Sequence, residues 1–372
     1  MNIYIFVVAL NIALLLVPRR RIKTIKRKHY LDTAIVSVAV ICAILCFLMA
    51  FRDYSVGVDT FAYQRSYIKI ANSHSFSQAL KITTFTGPGY ILLCWIFHYI
   101  TVDPRWFMVL SAIIINVLLF EYTLTKINRE LQYVLLWQTS YLFAFSLNGN
   151  RQVMATLFQL NALELLKNDL KSRKGWILAV IGVSIHPISV IIIILYFAST
   201  LLFKKLKYIH AVILGIAGGV FAHFFITVAV ILFLRIVPAY LKYINNGVER
   251  GFFNNIGGGK IIYFYIFLLA TMLFFALSHK DESGKYISEK TYVFITIMFC
   301  VLGILNSRNT TIFRLTMFFV PFGISVISQM SLNARIKRTK LAEVAIHIVF
   351  IIYMVLSLAD NQSEVIPYIL AL

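Results

Sequence analysis

Residues 33–51 read TAIVSVAVICAILCFLMAF, and that run decides the fold class. It carries no charge. As a helix rising ~1.5 Å per residue it reaches ~28 Å, close to the ~30 Å hydrocarbon core of a bilayer. Seven Lys and Arg residues crowd 18–32 immediately before it, and the polar run from Arg52 to Tyr63 follows. A basic flank on one side of an apolar helix is the mark of a membrane span with that flank in the cytoplasm.

The pattern repeats along the chain. Apolar segments run at 3–17, 88–102, 107–125, 131–147, 151–166, 176–186, 187–203, 209–234, 260–278, 291–305, 314–331 and 341–358. Sixty per cent of the 372 residues are hydrophobic and 13% are charged, with a mean hydropathy of +0.82. A water-soluble core of this size cannot hide that much apolar surface. The expectation is one all-α polytopic membrane domain over 1–372, with about 10–12 transmembrane helices. The stretch 1–17 has no basic residues ahead of its apolar run, so it reads as the first membrane helix, not as a cleaved leader.

The net charge of +20 does not point to nucleic acid. Connectors 18–32, 126–130, 167–175, 204–208, 279–290 and 332–340 hold 23 of the 35 Lys and Arg residues, as cytoplasmic connectors do. Alternating the crossings from that assignment puts 52–87, 148–151, 186–187, 235–259 and 306–313 outside. Parity then requires one early segment not to cross. Segment 88–102, only ~22 Å long as a helix, is the one expected to be re-entrant or interfacial. Residues 60–85 are too polar to cross and read as a helix on the outer surface, ended by Gly87-Pro88-Gly89. Pro187 predicts a break after His186, either a hairpin tip or a cavity wall.

No nucleotide-binding loop, metalloprotease motif or serine-histidine-aspartate order is present, and the four cysteines form no metal-ligand spacing. No cofactor and no metal are expected. Arginines on the outer side are the chemistry that remains: Arg52, Arg65, Arg151, Arg235, Arg250, Arg308 and Arg314. Arg151 sits in Asn148-Gly149-Asn150-Arg151-Gln152, and Arg314 closes Asn306-Ser307-Arg308-Asn309-Thr310-Thr311-Ile312-Phe313-Arg314, each at the mouth of an apolar helix. A charge at membrane depth is costly and is usually functional or paired, and the planar guanidinium suits phosphate oxygens. Snorkelling to lipid headgroups is the plainer reading of any single arginine. Asp59 is either a general base or, with Thr60, a cap of the surface helix; Asp53 is placed to pair with Arg52. His186 is a second base candidate or a satisfied turn histidine. Glu164 reads as interfacial. Tyr63, Asn148, Asn150 and Gln152 are candidate sugar or phosphate contacts.

At these residues the chain resembles the EpsG family of exopolysaccharide proteins, relatives of the Wzy polymerases. The matching features are Phe51-Arg52, Gly57, Asp59-Thr60 and Tyr63; Gly87-Pro88-Gly89-Tyr90; Asn150-Arg151-Gln152; Ser184-Ile185-His186 with Ser189; and Arg308 with Arg314. The chain departs from the family at Gly87-Pro88, where a Glu-Pro is expected, and at the proline after His186. The resemblance implies a bacterial plasma-membrane enzyme with its site facing the periplasm or cell exterior. Its substrates would be undecaprenyl-pyrophosphate-linked oligosaccharides, joined by passing the growing chain to a sugar hydroxyl of the next unit. A chain-length regulator and a flippase of the same pathway are implied partners, alongside membrane lipid. A lipid-linked oligosaccharide flippase, a glycan ligase and a membrane acyltransferase are the alternatives.

Overall fold

The structure, a computed structural model, describes residues 1–18, 21–23, 30–82, 87–236, 259–278, 286–306, 310–329, 339–361 and 365–371. For 21–23, 30–31, 226–236, 259–260, 310–311 and 339–340 it describes the backbone alone. The chain runs α1 (Asn2–Leu15), β1 (Arg21–Lys23), β2 (Tyr30–Asp32), α2 (Thr33–Ala50), α3 (Thr60–Ala71), α4 (Phe76–Ile82), α5 (Pro88–Phe97), α6 (Pro104–Leu124), α7 (Glu130–Thr139), α8 (Leu142–Asn148), α9 (Asn150–Leu166), α10 (Arg173–Ile185), a 3₁₀ turn (Pro187–Ser189), α11 (Val190–Phe203), α12 (Tyr208–Ile236), α13 (Gly259–Ser278), α14 (Ile287–Leu305), α15 (Thr310–Met317), α16 (Val320–Ser328) and α17 (Thr339–Ala359).

Among the described residues, six helices have the length and apolarity of a membrane span: Thr33–Ala50, Pro104–Leu124, Tyr208–Phe225, Ile261–Ser278, Ile287–Leu305 and Leu341–Ala359. Shorter apolar helices cover Asn2–Leu15, Pro88–Phe97, Pro187–Phe203 and Ile312–Ser328. The protein is an all-α, multi-pass membrane protein. The short antiparallel pairing of β1 with β2 lies in the basic connector ahead of α2. There the Asp32 carboxylate accepts from the Ala34 amide at 2.9 Å, so the N-terminus of α2 is capped before the apolar run begins.

The chain forms two compact units, Met1–Ile193 with Leu358–Leu372, and Ile194–Ser357. In the first, α2 packs on α6, and α9 packs on α6 and α10. Its middle is the run α7–α8–α9, which is buried almost throughout. That run carries Gln138, Thr139, Ser140, Ser146, Asn148, Asn150, Gln152, Thr156, Gln159 and Asn161, all buried. Polar side chains at membrane depth belong inside the protein, and irregular backbone is tolerated there only when covered. Both conditions explain a feature the hydropathy missed. Segment 131–147, read as one helix, breaks at Tyr141, whose φ of 70° is left-handed.

The expected single surface helix over 60–85 is likewise two helices, α3 and α4, joined by a bend at 72–75; 83–86 lie outside the described residues. Helix α5 has ten residues, ~15 Å, too short to cross a bilayer. The break expected after His186 is present, with α10 ending at Ile185 and His186 at φ −142°, ψ 97°.

Glu164 is buried within the protein. It pairs with Lys126 at 3.2 Å and contacts Lys167, and the Lys126 ammonium lies 4.0 Å from the Tyr122 ring centroid. Removing Glu164 strands the buried Lys126 ammonium, whereas without Lys126 the Glu164 carboxylate keeps Lys167. Glu164→Leu is therefore expected to cost about 3–5 kcal/mol, read as a fall in the unfolding midpoint in detergent. Adding Lys126→Met should recover most of that loss; an unchanged midpoint for Glu164→Leu would show the pair to be solvated.

In the second unit α14 packs against α12, α13 and α16. Phe299 and Phe319 stack at 3.5 Å between centroids, and Tyr292 meets Phe322 edge-on at 4.9 Å. Lys290 is fully buried and donates to the Leu206 carbonyl at 2.9 Å, while the Tyr208 hydroxyl donates to Glu289 at 2.8 Å.

Candidate functional site

The site is built where two polar stretches nearly ninety positions apart are tied together. Gly57 has φ of 94°, and a Cβ there would lie 2.7 Å from the Leu147 carbonyl oxygen. Only glycine fits so close an approach in that backbone conformation. The turn 53–59 therefore lies flat against the end of α8. Thr60 donates to the Val56 carbonyl at 2.7 Å, and the Asp59 amide donates to Asn148 Oδ1 at 2.8 Å. Asp59 occupies the N-cap position of α3 without a side-chain capping bond.

Arg52 is 1% exposed. Its guanidinium donates to the Met49 carbonyl at the end of α2 and to the Leu147 carbonyl, the latter at 3.0 Å. Burial pushes its pKa down to about 10, against the raising effects of Tyr368, Tyr63 and Tyr4, and it stays protonated at neutral pH. Arg52 thus clamps α2 to α8; it does not face outward. The expected pairing with Asp53 is absent. The Asp53 carboxylate instead accepts from the Ser55 amide and hydroxyl, which hold its pKa below the usual range.

Arg151 stands in the first turn of α9, beside this clamp. Its guanidinium lies 5.4 Å from the ring centroids of both Tyr63 and Tyr90. The Tyr63 hydroxyl is hydrogen-bonded to it, and the Asp59 carboxylate acts on its charge. Tyr90 comes from α5, whose start is set by Gly87-Pro88-Gly89. A Cβ on Gly87 would meet the Ser184 and Ile185 carbonyls at 2.4 Å, and one on Gly89 the Ser184 hydroxyl at 2.1 Å. The two glycines let α5 begin directly on the end of α10, one residue from His186, which is half-buried.

Beneath Tyr63 and Tyr90 lies a cavity of ≈ 10 Å³, also lined by Arg52, Ser111 and Asn150, about the room one water needs. Arg52 Nε, Ser111 Oγ and Asn150 Oδ1 are buried atoms without a hydrogen-bond partner.

Of the residues singled out in the sequence, the structure brings together Arg52, Asp59, Thr60, Tyr63, Asn148, Asn150 and Arg151. Gln152 is buried in α9, and Arg65 lies on the exposed face of α3. Arg314 is exposed on α15 of the second unit. Arg250 and Arg308 lie outside the described residues, as does the side chain of Arg235. Three contributors were not read from the sequence as site residues, Tyr90, Arg105 and Ser111. Arg105 donates to the Arg52 carbonyl and lies 4.4 Å over the Tyr54 ring. Asp103-Pro104, where the Asp103 carboxylate accepts from the Arg105 amide at 2.8 Å, was the available signal for a helix starting at this end.

No curated protein and no solved structure matches the chain. The model of the EpsG family matches residues 35–370, a span that takes in most of α2, the Arg52–Tyr63 stretch, α9 with Arg151, and residues 365–370 after α17. With that match over nearly all of its length, the chain belongs to the EpsG family, membrane proteins of the Wzy-type polysaccharide-polymerase-like kind.

Proposed function

We propose that the protein polymerises undecaprenyl-pyrophosphate-linked oligosaccharide repeats into O-antigen, capsule or exopolysaccharide at the outer face of the bacterial plasma membrane. The observation that carries this reading is Arg151. It is a guanidinium held at a helix mouth between two tyrosines, within the electrostatic reach of Asp59, in a member of a polymerase-like family.

In this reading Arg151 binds the donor pyrophosphate and stabilises charge on it as it leaves. Asp59 takes the proton from the acceptor sugar hydroxyl. The bond from the donor sugar's anomeric carbon to the pyrophosphate oxygen breaks, and a bond from that carbon to the acceptor oxygen forms. The leaving lipid pyrophosphate keeps the bridging oxygen. Tyr63 and Tyr90 offer faces for sugar stacking and hold the guanidinium plane. Arg52, Thr60 and Asn148 are positioning residues that fix the turn carrying Asp59. The cavity admits a single water-sized group, so the repeat unit engages the rim. His186 is the second base candidate, placed one residue from where α10 meets the start of α5. Arg314, Arg308, Arg250 and Arg235 enter only through the sequence pattern that assigns them to outer connectors. No cofactor is invoked.

The test is the glycan profile of cells deleted for the gene. Deletion should leave single lipid-linked repeats on the outer leaflet, and the wild-type gene should restore a ladder of polymer. Repeats trapped on the cytoplasmic leaflet would overturn the reading in favour of a flippase.

A further inference from the structure

The segment after α17 returns to the first unit, and its contacts converge on the end of α2. A helix ends with carbonyls that have no partner of their own. At the end of α2 two of these, and that of the capping Phe51, are claimed. The Leu48 carbonyl accepts from the Tyr368 hydroxyl at 2.5 Å, the Met49 carbonyl from Arg52, and the Phe51 carbonyl from the Ala371 amide at 2.8 Å. In return the Asp53 amide donates to the Ile369 carbonyl at 2.8 Å, which closes an antiparallel bridge between Arg52 and Leu370. The segment is itself anchored. Val365 is fully buried and its carbonyl accepts from the Tyr4 hydroxyl at 2.9 Å. Asn361 brackets Ile366, accepting from its amide at 2.8 Å and donating to its carbonyl at 2.5 Å.

We infer that residues 365–371 are a positioning element of the candidate site, holding Arg52 and the 53–59 turn that presents Asp59. Two bonds from this segment flank Arg52 on the backbone and a third caps the helix turn before it. The Arg52 side chain then reaches Leu147, and the turn stacks on the same carbonyl through Gly57. Loosening 368–371 releases the backbone on both sides of Arg52 while leaving every membrane-spanning helix intact.

The catalytic part of this inference rests on the polymerase reading; the pairing does not. The experiment uses the full chain in its own membrane. Opposed residues of an antiparallel pair have Cα atoms ~4.5–5.5 Å apart, inside the range a disulfide spans. Asp53→Cys with Ile369→Cys should therefore oxidise, leaving fragments cut in a connector joined until reduction. Ala371→Pro removes the amide that bonds Phe51, and Tyr368→Phe the hydroxyl that bonds Leu48. Together they should lower polymer yield at least tenfold at an unchanged membrane level. Adding the oxidised cysteine pair to them should restore the yield to within about threefold, which relief of a general folding defect would not do. A wild-type ladder from the Tyr368/Ala371 variant, or a cysteine pair that stays reduced, overturns the inference. If Arg151→Ala also polymerises normally, the polymerase reading falls, and the cross-link still decides the pairing.

Discussion

Arg151→Ala is expected to lower polymer formation by ~10²–10³-fold, the usual scale for removing one preorganised group from a developing charge. Protein level should be unaffected. The guanidinium is half-buried at a helix mouth, and its contacts are to tyrosine rings and the Asp59 charge, not to a structural carbonyl. That separates it from Arg52, whose guanidinium is committed to backbone oxygens and whose loss should unfold the turn. Arg151→Lys keeps the charge without the planar fork and should recover only a small part of the rate. The measurement is the initial rate on purified lipid-linked repeats, with protein quantified in the same membranes. Full activity of Arg151→Lys would sink the two-pronged phosphate contact; full activity of Arg151→Ala would remove Arg151 from the chemistry.

Asp59→Asn is the second large effect. A positioned base contributes ~10²–10⁴-fold, so the asparagine variant should lose at least about a hundredfold in kcat with little change in KM. Asparagine preserves size and leaves the amide bond from Asp59 to Asn148 untouched, since that bond is made by backbone. The structure makes the test clean in another respect. Asp59 forms no side-chain cap on α3, so the substitution does not uncap the helix. Near-normal turnover of Asp59→Asn would leave Asp59 as a neighbour of Arg151 and pass the role of base to His186. A rise in KM with unchanged kcat would instead mark a group that binds ground state and transition state alike.

Local chemistry was enough for much of this. The uncharged run 33–51 became α2, Thr33–Ala50, with Asp32 as its cap. Helix length and apolarity are counted along the chain, and a bilayer reads them the same way. Pro187 marked the break at His186 because a missing amide acts where it stands. The motifs around Arg52, Asp59 and Arg151 were legible as polar interruptions at the ends of apolar helices.

Tertiary structure decided what those interruptions do. Hydropathy gives Arg52 and Arg151 the same description, a cation at an outer helix end. Only folding puts Leu147 and Met49 within reach of one and Tyr63 and Tyr90 beside the other. The break at Tyr141 has no proline or glycine to announce it, and it survives because the surrounding run is buried in protein. The burial of Glu164 against Lys126 is not legible locally, because that partner lies 38 positions away. The bond from Tyr4 to Val365 is the extreme case, joining positions 361 apart. By itself the sequence established an all-α, multi-pass membrane protein, since that depends on each segment's own transfer from water. Which polar groups are spent on architecture and which face the substrate depends on partners distant in sequence, and those are set only when the helices pack.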